Sequence, residues 1–255
     1  LTGISAELGE VFILMDLKGY NQHEAARITG VSGSTVKTRR FQARTYLRDA
    51  LAAEILSTGD LSQVTVTAVS NRAGVTRRTF YSHFKDIPDL VDQVERETVE
   101  GSRVLVERIA STHLDELQRS IENLKPCPGS VELLEYFRAR GGYLGALLGD
   151  GGDPAFAERL KHMVRETVAS RALEGIDLLA IGAFFDYYLT FAISAEVGVL
   201  VRWLTGGMRE SSEAMARVMT ALMFVRPGDL YGKKIEFDIP SLGLALLTMR
   251  ENDDD

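Results

Sequence analysis

The sequence is poor in the residues from which most catalytic and metal sites are built. Its 255 residues include one cysteine, Cys127, and four histidines, His23, His83, His113 and His162. A lone cysteine excludes an internal disulfide and any cysteine-rich metal site. The histidines are scattered without metal-ligand spacing, and neither H-E-x-x-H nor G-x-S-x-G occurs. No cofactor and no metal are therefore expected, and the chain reads as something other than an enzyme. Proline is scarce, and strand-like alternation is hard to find; helical spacing of apolar residues dominates. A signal peptide is also missing, because LTGISAELGEVF has neither a basic segment nor a long apolar run. With so little cysteine, a cytoplasmic location is expected. The first residue is Leu1 rather than Met, so residues upstream of it are expected too.

Long apolar runs are almost absent. The exception is IDLLAIGAFFDYYLTFAISAEVGVLVRWL, residues 176–204, where the stretch from Leu178 to Ala195 holds a single charge, Asp186. A charge near a membrane midplane costs about 2.5–3.5 kcal/mol. A buried helix of a soluble protein is the expectation, with no membrane as partner. Breaks at 19–21, 29–34, 57–60, 125–129, 148–154, 205–208 and 226–229 divide the chain into roughly ten helices. Within 233–249, Pro240 is expected to start a final short helix. The glycines of GDGGDP have no Gly-Lys-Ser/Thr after them and no strand before. They mark a loop, with Asp153 capping a helix that begins at Pro154.

Acid is missing where base is present. Net charge is −7, yet AGVTRRTFYSHF, residues 73–84, has no Asp or Glu, and neither has the wider stretch from Arg72 to Lys85. A local reversal of sign suits a surface that faces a polyanion. The layout is that of a helix-turn-helix. A short helix over 66–73, capped by Thr65 or Thr67, would end at Gly74, where positive φ is needed. Val75 would plug the space between the helices, Thr76 would cap the second, and Phe80 and Phe84 would form its buried stripe. That leaves Arg77, Arg78, Thr79, Tyr81 and His83 for base edges and phosphates, with Lys85 beside them. A plain solvated amphipathic helix is the alternative.

The stretch TVTAVSNRAGVTRRTFYSHFKDIPDLV resembles the DNA-binding motif of TetR-type transcriptional regulators. That resemblance implies phosphate contacts from Tyr81 and Thr79. The family's usual lysine at the start of the following helix is replaced here by Ile87. Upstream, residues 7–51 are similar to region 4 of bacterial sigma factors, a promoter-reading module. Its own helix-turn-helix would comprise 22–29, a turn at Gly30-Val31, and a reading helix from Ser32 or Ser34. An offset of 44 residues lays Gly30-Val31-Ser32 on Gly74-Val75-Thr76 and Val36 on Phe80. Ser32, Ser34, Thr35, Lys37, Arg39 and Arg40 are its candidate DNA contacts, with Arg44 and Arg48 continuing the basic run. The alternative is a helical brace that does not touch DNA.

These readings predict an all-α protein with tandem helix-turn-helix modules followed by a helical regulatory and dimerisation domain. The segments are 1–51, 43–95 and 96–255, the first two sharing an uninterrupted helix over 34–57. Residues 133–225 resemble the C-terminal domain of the TetR branch that includes regulators of dihydroxyacetone kinase operons. That implies a homodimer built on helices near 176–204 and 210–225, and an effector that is a small molecule or a protein. Phe184, Tyr187, Tyr188 and Trp203 are candidate effector contacts, with core or dimer interface as the alternative for each. Asp186, Glu196 and Arg202 are polar groups that could orient an effector or form a buried ion pair. The expected function is a sequence-specific DNA-binding regulator of the repressor type. A sigma-like factor that engages RNA polymerase is the alternative.

Overall fold

The computed structural model describes Glu10 and residues 14–15, 20–172 and 178–223; the side chains of 37–43, 114, 171, 172 and 178–184 are outside that description. The helix expected at Pro240 and the break at 226–229 also lie outside the described residues. Helices joined by turns and short connections make up the described chain, which holds no strand.

The residues divide into two compact units: Leu1–Thr98 with Ala139–Phe156, and Val99–Arg138 with Ala157–Asp255. In the first, α1 (Gln22–Thr29) and α2 (Gly33–Thr58) precede a short 3-10 turn at Leu61–Gln63, and α3 (Val66–Ala73) and α4 (Arg77–His83) follow. Helix α5 (Ile87–Ala110) begins in this unit and ends in the other. Between α7 (Ser130–Arg138) and α9 (Pro154–Ala172), helix α8 (Gly141–Leu147) returns to the first unit.

Helix α2 is the centre of this unit. Its 26 residues rise about 39 Å at 1.5 Å each. It packs on α1, α3 and α8. Leu47, Leu51 and Ile55 recur at four-residue spacing and are at most 1% exposed. Contact on several sides explains why Ala50 and Ala52 are buried as well. Gly59, with φ 73°, ends the helix in the left-handed region. The GDGGDP loop closes against this end, where Leu61 donates its N–H to the Gly151 carbonyl at 2.8 Å. A Cβ on Gly151 would lie 2.4 Å from the Gly59 oxygen, so close backbone approach demands glycine there. Asp153 accepts from the Ala155 N–H at 2.8 Å and starts α9.

The second unit contains the end of α5 with α6 (Leu114–Glu122), α7, most of α9, α10 (Leu178–Thr205) and α11 (Ser212–Leu222). Helix α11 packs on α7 and α6. Thr220 of α11 accepts the Cys127 N–H at 2.8 Å, tying the α6–α7 connection down. Arg138 reaches across to the Met208 and Glu210 carbonyls and to the Ser212 hydroxyl. Burial raises the pKa of the Cys127 thiol, which keeps it protonated and unreactive.

Candidate nucleic-acid interface

Helix α3 starts at Thr65, whose hydroxyl accepts the Ala68 N–H at 3.1 Å. Thr65 is therefore the cap, and Thr67 lies exposed on the first turn. Val69 is fully buried, and Gly74 leaves the helix at φ 67°. A Cβ at this position would meet no atom within 4 Å, so conformation rather than space selects glycine. Val75 fills the angle at 8% exposure. Thr76 caps α4 through the Thr79 N–H at 3.1 Å. Phe80 (0% exposed) and Phe84 (3%) anchor α4, their ring centroids 5.7 Å apart.

Anchoring one face of α4 presents the other. Arg77, Arg78, Tyr81 and Lys85 are exposed. Arg77 donates to the Tyr81 hydroxyl at 3.4 Å and lies 5.8 Å from its ring centroid. Among the described residues, neither Arg77 nor Arg78 has a carboxylate within ion-pair distance. Arg72 differs, because Glu54 of α2 takes its guanidinium at 2.5 Å. The positive face is accordingly narrower than the acid-free stretch of sequence.

Two of the expected contacts are placed elsewhere. Thr79 is 1% exposed and its hydroxyl is paired with that of Thr76 at 2.9 Å, so it supports the cap instead of facing outward. His83 is half-buried with Nε2 inside, its ring 5.7 Å from that of Phe84. Ile87, where the family's lysine is replaced, is 8% exposed and part of the core. Asp86 caps the Asp89 N–H, and Asp89 accepts the Lys85 N–H at 2.8 Å. That backbone hydrogen bond, with help from Gln93, holds the Asp89 carboxyl below its ordinary pKa.

The upstream copy is built in the same way. Asn21 accepts the His23 and Glu24 N–H groups at 3.0 Å, and Glu24 returns to the Asn21 N–H at 2.7 Å. Gly30 leaves α1 at φ 70°, and Ser32 caps α2 through the Thr35 N–H at 3.2 Å. Ala25 and Val36 are fully buried with Leu14 beside them. Gln22 ties the turn by donating to the Gly33 carbonyl at 2.8 Å. Ser32 and Ser34 are exposed and Thr35 is half-buried. The side chains of Lys37, Arg39 and Arg40 lie outside the described residues. Arg44 and Arg48 are half-buried. Arg44 meets Glu97 at 2.6 Å and Gln93 at 3.0 Å, and Arg48 stacks 4.2 Å above the Tyr143 ring.

A second site lies inside the other unit. A cavity of about 380 Å³ opens between α5, α6, α7, α9, α10 and α11. Helix α10 gives it Leu189, Ala192, Ile193, Glu196, Val197 and Leu200, one face at helical spacing. Of the expected effector contacts, Tyr188 lines the cavity, while Tyr187 does not and is 68% exposed. Trp203 is 3% exposed and structural. Its indole N–H donates to the Glu210 carbonyl at 3.3 Å, and Arg138 covers its ring at 5.1 Å. The Phe184 side chain lies outside the described residues. Asp186 pairs with Arg165 at the surface, and Arg202 is exposed.

A glycine-bent helix pair that buries two phenylalanines and presents arginines outward defines a helix-turn-helix DNA-binding protein. Comparison with protein families gives the particular kind. The family model described as "Bacterial regulatory proteins, tetR family" matches residues 50–94, and "Transcriptional regulator C-terminal region", a TetR-type model, matches 125–224. The chain belongs to the TetR family of transcriptional regulators; the two family models together cover more than half of it. "Sigma-70, region 4" matches residues 4–47, the upstream copy. No curated protein matches the chain.

Proposed function

We propose that this DNA-binding regulator is a cytoplasmic repressor without enzymatic activity, working as a homodimer under the control of an effector bound to its C-terminal unit. The observation that carries the DNA-binding part is α4. Its Phe80 and Phe84 are locked inside while Arg77, Arg78 and Tyr81 face outward, with no carboxylate among the described residues to neutralise the two arginines. Arg77 and Arg78 are the base-reading candidates. Thr65, Thr67, Thr76, Tyr81 and Lys85 would grip phosphates. Ser32, Ser34 and Thr35, with Lys37, Arg39 and Arg40, would form a second head, so that one protomer engages two successive stretches of an extended operator.

Exposed apolar surface supports the dimer. Only 33% of an 18-residue window within the apolar run Phe185–Thr205 is buried within the chain. Tyr187 and Phe191 on α10 and Val218 and Leu222 on α11 are exposed. Such a patch on a regulator is accounted for by a partner copy. Effector binding in the cavity would alter the spacing of the dimer's heads and hence the fit to two half-sites. A sigma-like role with RNA polymerase is not favoured, because the TetR-type family models account for the α3–α4 head and the C-terminal region alike.

Selection of bound sites from random duplexes by the full-length chain, followed by gel shift, tests the reading. A single enriched motif bound far more tightly than random DNA supports it. Equal binding to every sequence at all salt concentrations overturns it.

A further inference from the structure

Glu196 occupies a register that should be apolar. It falls on the same face of α10 as Leu189, Ile193 and Leu200, which all line the cavity. The opposite face carries the exposed Tyr187 and Phe191. The residue therefore lines a largely apolar interior, walled by aliphatic side chains, Phe137 and methionines, with Thr112, Ser130 and Thr220 among them. Among the described residues, no lysine, arginine or histidine lines this space, and Cys127 and Tyr188 are the other titratable lining groups. No cation among those residues reaches Glu196. Glu196 is half-buried; a carboxylate held partly out of water with no counter-charge among the described residues is costly, and packing alone gives no reason to place one there. A ligand site has one.

Resting on the reading of this cavity as the effector site, we propose that the effector is a compact apolar amine. Its hydrocarbon or aromatic body fills the cavity, and its single ammonium pairs with the Glu196 carboxylate. The volume of about 380 Å³ is at the lower end of small-molecule sites, which suits a compact body. Tyr188, half-exposed on the lining, offers a ring face that an ammonium favours. A carboxylate ligand would set two like charges in a poorly solvated space, with no base among the described lining residues to separate them. A neutral ligand would leave Glu196 as costly as before.

Burial also raises the Glu196 pKa to about 7, through desolvation. An ammonium set against it would favour the ionised form and lower that value. Amine binding near pH 7 should therefore release a fraction of a proton from the protein, while the amine itself stays charged.

The test is calorimetry on the full-length chain at pH 7 with three probes of one shape: 4-phenylbutylamine, 4-phenylbutan-1-ol and 4-phenylbutanoate. The amine should bind about tenfold or more tightly than the alcohol, as a charge-assisted contact implies, with the carboxylate weakest. Titrations in buffers of different ionisation enthalpy should report proton release for the amine alone. In Glu196→Gln, checked for native helicity, the amine's advantage and the proton release should both vanish while the alcohol still binds. Equal affinities for the three probes, or an amine preference that survives in Glu196→Gln, would overturn the amine assignment and leave the cavity as an effector site. If none of the probes binds the folded wild-type chain, the assignment and the effector reading of this cavity fall together. Binding that persists in Ala192→Phe, which fills the cavity, would place the ligand elsewhere and overturn the proposal as well.

Discussion

Asn21 and Thr65, Gly30 and Gly74, Ser32 and Thr76 form three pairs at one offset in the chain, and each pair does the same job. The first residues cap a helix, the glycines end it at φ 70° and 67°, and the last cap the helix that follows. Buried positions correspond too: Ala25 with Val69 and Val36 with Phe80, all fully enclosed. The contents differ. The upstream copy closes on an alanine, a valine and Leu14. The downstream copy closes on two phenylalanines whose rings are tilted against each other and carries a tyrosine edge-on to one of them. Backbone chemistry therefore fixes the layout of a helix-turn-helix, and core volume decides how firmly its reading helix is held. The charges differ as well. Arg77 and Arg78 are left to the solvent, whereas Arg44 and Arg48 are used to join α2 to Glu97 and Tyr143.

The largest effect that would break this comparison is on stability. Phe80→Ala should cost about 3–5 kcal/mol, and Val36→Ala about 2 kcal/mol. Urea titration followed by circular dichroism measures both, and equal losses would remove the distinction drawn between the two cores. Glu196→Gln lies outside either head and serves as a contrast of opposite sign. An acid with a raised folded-state pKa loses stability as pH rises from its unfolded value, near 4.5, to about 7. The variant should therefore be more stable than the wild type by roughly 3 kcal/mol at pH 8, shrinking toward zero near pH 4.5. A pH-independent difference would contradict the assigned burial.

Arg78→Ala should weaken binding to the selected operator by about 1–3 kcal/mol and relax its sequence preference. Lys37→Ala should reduce affinity more uniformly and lower the salt slope by about one. A Lys37→Ala variant with unchanged affinity and salt slope would make the upstream copy a brace. The cap substitutions Thr65→Ala and Asn21→Ala are the finest comparison, each expected to cost about 1 kcal/mol. Because Asn21 belongs to a reciprocal capping box, its loss should be the larger, read from paired melting curves.

Much of this was legible in the sequence because it is local. Glycine at 30, 59 and 74 and hydroxyl or amide caps at 21, 32, 65 and 76 act through the backbone within four residues. The unbroken α2 follows from the absence of glycine and proline over residues 34–58. Long-range partners were not legible. Nothing near Arg72 announces Glu54, and helical periodicity alone did not show that Thr79 turns inward beside Phe80. The aromatic run of α10 gave no means of sorting Trp203, held by Arg138, from Tyr188 on the cavity wall. Nor did any motif tell that residues 139–156 join the N-terminal unit, since that contact rests on long-range packing of α8 on α2 and close approach at Gly151.

Footprinting on the selected operator tests the central claim most directly, with wild type, Arg77→Ala/Arg78→Ala and Lys37→Ala/Arg39→Ala/Arg40→Ala compared at one salt concentration. The wild type should protect an extended site, longer than two half-sites one helical turn apart. The α4 double variant should lose protection throughout, and the upstream triple variant should keep the protection due to α4 while losing the rest. Full protection by the Arg77→Ala/Arg78→Ala chain would contradict the account, because α4 would then not be the helix that enters the groove.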